Sequence, residues 1–174
     1  AGDSYQVSDL KYNKYKPTDD DIRLIEKGHA AANVETTAAQ FNRYVPITIT
    51  TENPETGDTT TSTKNYKYAA LAMNTSISMK GLLVKSAYTT DNGGNNDGAM
   101  TLTYEAEGRT VNVRTIVLKD AAGNLATQDM LVGKTIDVTG VVDCFNGEYQ
   151  IKILSTGGIK VDGKPLFPPV EKPT

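Results

Sequence analysis

The stretch Val132–Ile153, "VGKTIDVTGVVDCFNGEYQIKI", alternates apolar and polar residues on both sides of an Asn-Gly dipeptide. An apolar residue at every second position is the period of a β-strand with one buried face. Asn146-Gly147 is a strong hairpin signal, because both residue types tolerate the positive φ of a type I′ turn. The sequence therefore predicts a β-hairpin here, with Gly140 inside its first strand.

Upstream of this hairpin the same alternation predicts three more strands. The first carries Gly81 at its middle, where a bend or bulge would let the strand curve. The second places Met100, Leu102 and Tyr104 on one face, so Tyr104 is expected in the core. The third is expected to run through 116–118, buried on both sides at that end. Between the third and fourth strands, "AAGNLATQDMLVG" breaks the alternation and predicts a loop with a short helical turn.

These five strands, with a helical insert and glycines inside the first and fourth, resemble the OB-fold, a small Greek-key barrel. The hairpin quoted above is similar to the fourth and fifth strands of bacterial OB-fold modules, and "ISMKGLLVKSAY" is similar to their first strand. The resemblance covers about residues 75–161. Such modules recur in exported and lipid-anchored proteins of Bacteroidetes, sometimes beside nuclease domains. The resemblance implies a mainly β protein with a five-stranded OB-like barrel over residues 74–163.

Residues 1–73, which precede the barrel, are predicted to form an extension that packs on it. A tyrosine-rich arm precedes a helix over 18–28, because Thr18 can cap it, the acidic residues that follow favour its positive end, and Gly28 follows its last turn. A second short helix, capped by Thr36 or Thr37, and a β-hairpin within residues 44–73 follow. Residues 164–174 are proline-rich and predict a tail or linker to further domains.

Composition narrows the function classes. The 174 residues carry a net charge of −3, and this charge is spread evenly, whereas nucleic-acid binders usually concentrate positive charge. No apolar run reaches membrane-spanning length. One cysteine and one histidine, His29, exclude an internal disulfide and a cysteine-based zinc site. No nucleophile–base pair is recognisable. Glu105 and Glu107 share a strand face, but charged residues on a solvated face are the ordinary interpretation, so we expect no enzyme.

The loop "TTDNGGNNDGAM" joins the first two barrel strands and has three interpretations. The simplest is a connection built from residues that tolerate left-handed geometry. A calcium site would use Asp91, Asn95 and Asp97, although a terminal glutamate is missing. The third interpretation is a ligand-gripping loop, because OB-folds bind oligonucleotides and oligosaccharides through this loop and the one between strands four and five. No cofactor is expected, with Ca²⁺ as the alternative.

A ligand surface is predicted from exposed aromatic and basic residues on the barrel: Tyr88, Arg109, Arg114, Lys119 and Phe145. Acidic neighbours oppose a nucleic-acid ligand. We therefore expect a non-catalytic binding or assembly module of an exported bacterial envelope protein, periplasmic or at the cell surface, with a lipid anchor as an option for the precursor. Its partner is expected to be a carbohydrate or a protein. The alternative is a single-stranded nucleic-acid-binding module that accompanies a nuclease.

Cys144 follows the inward-facing residues Val138, Gly140 and Val142 at intervals of two. This position predicts a side chain on the inner face of the barrel, near the hairpin end. A buried thiol behaves as a small apolar group and is unreactive. We therefore expect Cys144 to be buried and slow to react.

Overall fold

A computed structural model describes residues 33–167. The predicted arm and first helix, His29 and the prolines beyond residue 167 lie outside these residues. Within them the backbone forms ten strands and two short α-helices, besides two 3₁₀ turns. The elements are β1 (Val34–Glu35), α1 (Ala38–Asn42), β2 (Tyr44–Glu52), β3 (Thr59–Lys67), α2 (Tyr68–Leu71), β4 (Ser76–Thr89), β5 (Met100–Ala106), β6 (Arg109–Arg114), β7 (Thr135–Phe145), β8 (Glu148–Lys152), β9 (Ile159–Val161) and β10 (Lys164–Pro165).

Five of the strands close into a barrel in the order β4-β5-β6-β8-β7, and β7 pairs back onto β4. Neighbouring strands are antiparallel except β6 and β8, which run parallel with Val113 opposite Ile151. The protein is thus mainly β and contains the expected five-stranded OB-like barrel. β1 adds to β4, and β9 with β10 extends the sheet beyond β7.

β4 pairs with both β5 and β7, and so closes the barrel, because it bends at Gly81. This residue has φ +68°, which a side chain would disfavour. The register of β4 against β7 shifts between Met79 and Leu82. The backbone N–H of Gly81 donates to Oδ1 of Asp137 at 2.9 Å. The predicted bulge is confirmed, and a carboxylate satisfies the amide that the ladder leaves free.

The barrel interior is filled by the residues that the alternation placed inward. Met100, Leu102 and Tyr104 from β5 are fully buried, as are Ile136 and Ile151 from the hairpin strands. Full burial of such an aliphatic side chain contributes about 1.5–3 kcal/mol. The Tyr104 hydroxyl is also buried and has no hydrogen-bond partner among the described residues.

The first part of the described chain joins this core through α1. Thr37 caps the helix: its hydroxyl accepts from the backbone of Gln40, and the Gln40 side chain accepts from the backbone of Thr37. Ala38 and Phe41 are buried in the same core cluster as the barrel residues. The prediction of a short helix capped at this threonine is confirmed. The domain boundary at residue 73 stays a prediction.

The predicted hairpin is confirmed as β2 and β3, which form a separate two-stranded sheet with Thr48 opposite Thr63. Its hydroxyl pairs face each other across the strands, Thr48 with Thr63 and Thr50 with Thr61, each at 3.1 Å. Most of its side chains are exposed.

Two details differ from the sequence expectation. The third barrel strand ends at Arg114 rather than continuing through Leu118, because β8 also stops there: the Ile153 N–H donates to the Arg114 carbonyl, and the chain then leaves the sheet. Ile116 and Val117 are only half-buried. Cys144 is likewise half-buried, since it lies one residue from the end of β7, where the barrel opens.

Candidate ligand-binding groove

A groove with a volume of about 700 Å³ crosses one outer face of the barrel. Its floor consists of the outward residues of β5, β6 and β8, whose neighbours in sequence point into the core. Its walls are the β4–β5 loop and the β7–β8 turn. Its lining includes Tyr88, Asn112, Arg114, Asp143, Phe145 and Gln150.

Two exposed aromatic side chains stand at the edges of the groove. Tyr88, near the end of β4, is 66% exposed, and Phe145, at the end of β7, is 65% exposed. Large aromatic side chains are costly to leave in water. The positive φ of Asn146 and Gly147 makes the turn after Phe145 as tight as the Asn-Gly signal predicted.

Polar side chains form a row across four strands of the barrel, and three of them, Asn112, Gln150 and Asp143, line the groove. Thr103, Asn112, Gln150 and Asp143 are successive cross-strand neighbours on four strands. The Thr103 hydroxyl donates to Asn112 Oδ1 at 3.1 Å, and Gln150 Nε2 donates to Asp143 Oδ2 at 3.0 Å. Gln150 is 8% exposed. A buried amide held by a carboxylate forms a rigid hydrogen-bonding surface.

The formal charges of the groove balance. Arg114 and Lys152 are neighbours on β6 and β8, and the Arg114 guanidinium donates to the Thr101 hydroxyl at 3.2 Å. Asp143 and Glu148 line the other end. Two cationic and two anionic side chains therefore line one surface, and none of them dominates its potential.

The structure brings together three of the five residues predicted to bind a ligand: Tyr88, Arg114 and Phe145 line the groove. Arg109 and Lys119 do not. Arg109 lies at the far end of β6, opposite Ala106. Lys119 lies beyond the strand, where it forms an isolated bridge with Leu125.

Sequence reasoning missed Asn112, Asp143 and Gln150. The signal was present in the alternation itself, since Asn112 lies between the inward residues Val111 and Val113. What the alternation lacked was the order of the strands, which makes these three residues neighbours.

The β4–β5 loop is folded by its own backbone and short side chains. The N–H groups of Asn92 and Gly94 donate to Asp97 Oδ1 and Asn92 Oδ1, at 3.1 and 2.9 Å. The Gly98 N–H donates to the Thr90 carbonyl at 2.8 Å and closes the loop. This supports the interpretation as a connection, and Thr90, Asn92 and Asn96 also line the groove.

The predicted calcium ligands gain no support from this arrangement. One oxygen of Asp97 already accepts from the loop backbone. Over residues 33–167, no three His, Cys, Asp or Glu side chains cluster in a way that could hold a metal ion. The Asp91, Asn95 and Asp97 site stays a prediction.

A second cavity of about 560 Å³ lies beside α1 and the β4 bend. Lys80 Nζ contacts Glu35 Oε2 there at 2.7 Å. The hydrogen bond and the charge of Glu35 raise the pKa of Lys80 above its usual value. Because both side chains are well exposed, this pair contributes little to stability.

No family model matches the sequence, and a search of curated proteins found none with significant similarity to it. Among solved structures, the chain is similar to one in the crystal structure of the S. pombe Stn1–Ten1 complex, with 18% identity and a TM-score of 0.34. The alignment covers 52% of this chain and 60% of that one. None of the helices found between residues 33 and 167 has the length and apolar character to cross a membrane.

Proposed function

We propose that this domain is a non-catalytic binding module and that its groove takes a neutral oligosaccharide. The observation that carries the proposal is the pairing of two exposed aromatic side chains with a charge-balanced polar floor. Ligand sites combine apolar contact area with a few fixed polar groups that orient the ligand. The groove has both.

The chemistry of a sugar suits these groups. A pyranose ring has C–H faces that pack on aromatic rings, and Phe145 and Tyr88 present such rings to solvent. Its hydroxyls are both donors and acceptors, so they can bind carboxylate, amide and guanidinium groups together. The Asp143–Gln150 pair, held at 3.0 Å, offers adjacent acceptor atoms without a mobile side chain to order.

A protein ligand, part of the original expectation, would use the same aromatic side chains as anchors. The polar floor favours the carbohydrate, because protein interfaces depend on a desolvated apolar centre. On the basis of the sequence resemblance, we also propose that the protein is exported and associated with the bacterial envelope.

Single-stranded nucleic acid is the second candidate, and one observation favours it. Exposed aromatics on an OB-type barrel can stack bases, and Arg114 with Lys152 could contact phosphates. Asp143 and Glu148 on the same surface oppose a polyanion. The carbohydrate is therefore the better-supported ligand.

Salt dependence distinguishes the two ligands. Contacts with phosphates release counterions, so nucleic-acid binding weakens steeply with ionic strength, whereas binding of a neutral glycan does not. We would titrate the full chain with a panel of neutral glycans and with labelled single-stranded DNA and RNA, each at low and physiological salt. Glycan binding that is unchanged by salt is the expected result.

Variants then locate the site. Phe145→Ala and Tyr88→Ala are each expected to weaken glycan binding about tenfold, equivalent to about 1.4 kcal/mol. Tyr44→Ala is the matched control, because Tyr44 is also 62% exposed but lies on β2 outside the groove. Salt-sensitive oligonucleotide binding that is lost in Arg114→Ala would overturn the carbohydrate proposal in favour of nucleic acid. Failure of every glycan to bind would also contradict it.

A further inference from the structure

The hairpin of β2 and β3 has a backbone edge along β2 that pairs with nothing in the described part of the chain. Among the described residues the two strands pair only with each other, over nine residue pairs. An isolated two-stranded hairpin is marginally stable in water, and a third strand or a packed face is usually needed. The length of this hairpin therefore suggests a missing neighbour.

The backbone groups of the outer edge can be assigned from the two ends of the hairpin. At one end the Asn53 N–H donates to the Asp58 carbonyl at 2.8 Å, and at the other the Tyr68 N–H donates to the Arg43 carbonyl at 2.9 Å. Hydrogen-bonded pairs alternate along an antiparallel ladder. The odd-numbered residues of β2 therefore bond to β3, whereas Thr48 and Thr50 direct their N–H and C=O groups outward.

This edge has few of the features that prevent strand pairing. Natural edges are protected by charged residues, prolines or bulges. Pro46 is the only such feature before Glu52, and it lacks an N–H at one outward position. From Ile47 to Thr51 the edge carries no charge. An open, uncharged edge of this kind favours pairing with another strand.

One face of the hairpin is also only partly covered within residues 33–167, where Val45 and Ile47 are half-buried. Val45, Ile47 and Ile49 point to the same side, and Ile49 is 44% exposed. The opposite side carries the paired threonine hydroxyls. A strand added at the β2 edge would continue both faces if it had the same Ile-Thr alternation.

We propose that the occupant is β2 of a second copy of this chain, paired antiparallel about a two-fold axis at Ile49. In this register Thr48 of each copy lies opposite Thr50 of the other, and these residues exchange their outward N–H···O bonds. Ile49 of one copy lies opposite Ile49 of the other in a non-hydrogen-bonded pair, where side chains approach most closely. The pairing is isologous, as a closed dimer requires.

The edge sequence explains why a second copy fits better than an unrelated strand. The cross-strand threonine pairing that joins β2 to β3 is repeated between the two copies. Glu52 falls opposite Pro46 of the other copy, so no like charges face each other and the missing N–H lies at the rim. Each of these matches follows from the chain pairing with itself.

Sedimentation of the full chain over the widest concentration range that solubility allows is the test. We expect a monomer–dimer equilibrium. Thr50→Pro removes an outward N–H and should abolish the dimer. Thr61→Pro is the matched control, because it removes an outward N–H from the β3 edge and breaks the same Thr50–Thr61 hydroxyl contact.

The outcomes separate cleanly. Loss of the dimer in Thr50→Pro, with the dimer retained in Thr61→Pro, supports the pairing. Wild-type chain that stays monomeric throughout overturns it, as does a dimer that persists in Thr50→Pro. Equal loss in both variants also overturns it, since the effect would then come from damage to the hairpin rather than from the β2 edge.

Discussion

Gly140 in β7 lies directly against the carbonyl oxygen of Lys152 in β8, so closely that a Cβ added to Gly140 would overlap it. The Cβ would also meet the Ile151 side chain at 3.0 Å. The atom in the way is backbone, which cannot move aside without disturbing the ladder between the two strands. The glycine is therefore required for strands β7 and β8 to approach each other.

Gly140→Ala is expected to lower the free energy of unfolding by about 3 kcal/mol, because the methyl group overpacks a backbone contact. Gly157→Ala is the control: its added methyl would have only the Ser155 hydroxyl within 4 Å, at 3.9 Å. Urea denaturation of both variants measures the difference. Equal stability of Gly140→Ala and wild type would show that the strands separate more easily than this contact implies.

Tyr104→Phe is expected to raise the free energy of unfolding by about 1 kcal/mol, because it removes a buried hydroxyl that has no partner among the described residues. Burial also raises the pKa of the Tyr104 phenol well above its usual value. Chemical denaturation provides the measurement. A loss of stability would mean that the hydroxyl is satisfied in solution, for instance by an ordered water.

The stability of the protein is expected to depend on pH through Asp120. Hydrogen bonds from the side chain and backbone of Asn124 hold the pKa of the Asp120 carboxyl below its usual value. A depressed folded pKa contributes stability above the unfolded pKa, and this contribution is lost as the pH falls through the folded value. Asp120→Asn should therefore be less stable than wild type at neutral pH, and the gap should close in acid.

Denaturation curves at several pH values test the Asp120 prediction. Asp91→Asn is a suitable control, because it removes the same charge from an exposed side chain that has no hydrogen bond among the described residues. A gap between Asp120→Asn and wild type that stays constant with pH would contradict the proposed role of the carboxylate.

Cys144 is expected to react with a thiol reagent more slowly in the native protein than in the unfolded chain, but to react without unfolding. The reason is its half-buried position at the open end of the barrel. Labelling rates in buffer and in denaturant measure the ratio. Complete protection of the native thiol would restore the expectation of full burial.

The local features of the barrel could be predicted from the sequence because each depends on neighbours in the chain. Gly81, the Asn146-Gly147 turn and the inward face of Met100, Leu102 and Tyr104 follow from residue type and alternation. The capped helix at Thr37 belongs to the same class. Short-range physics determines all of them.

The groove was harder to predict, because it depends on the order of the strands. Gln150 becomes a neighbour of Asn112 only through the parallel pairing of β6 with β8. Arg109 could have been separated from Arg114 by parity, since Arg109 shares the face of the inward residues Val111 and Val113 whereas Arg114 lies on the opposite face. Placing Lys119 outside the groove required knowing that β6 ends at Arg114, and this end is determined by the length of β8.

The parallel contact between β6 and β8 also determines when the chain can fold. Until residues 150–152 have been synthesised, β6 has an unpaired edge, and the core around the buried Val113 is not covered on that side. During synthesis from the N-terminus, the chain must therefore extend past this strand before the ring can close. Truncation between β6 and β8 would leave an aggregation-prone half-barrel rather than a smaller domain.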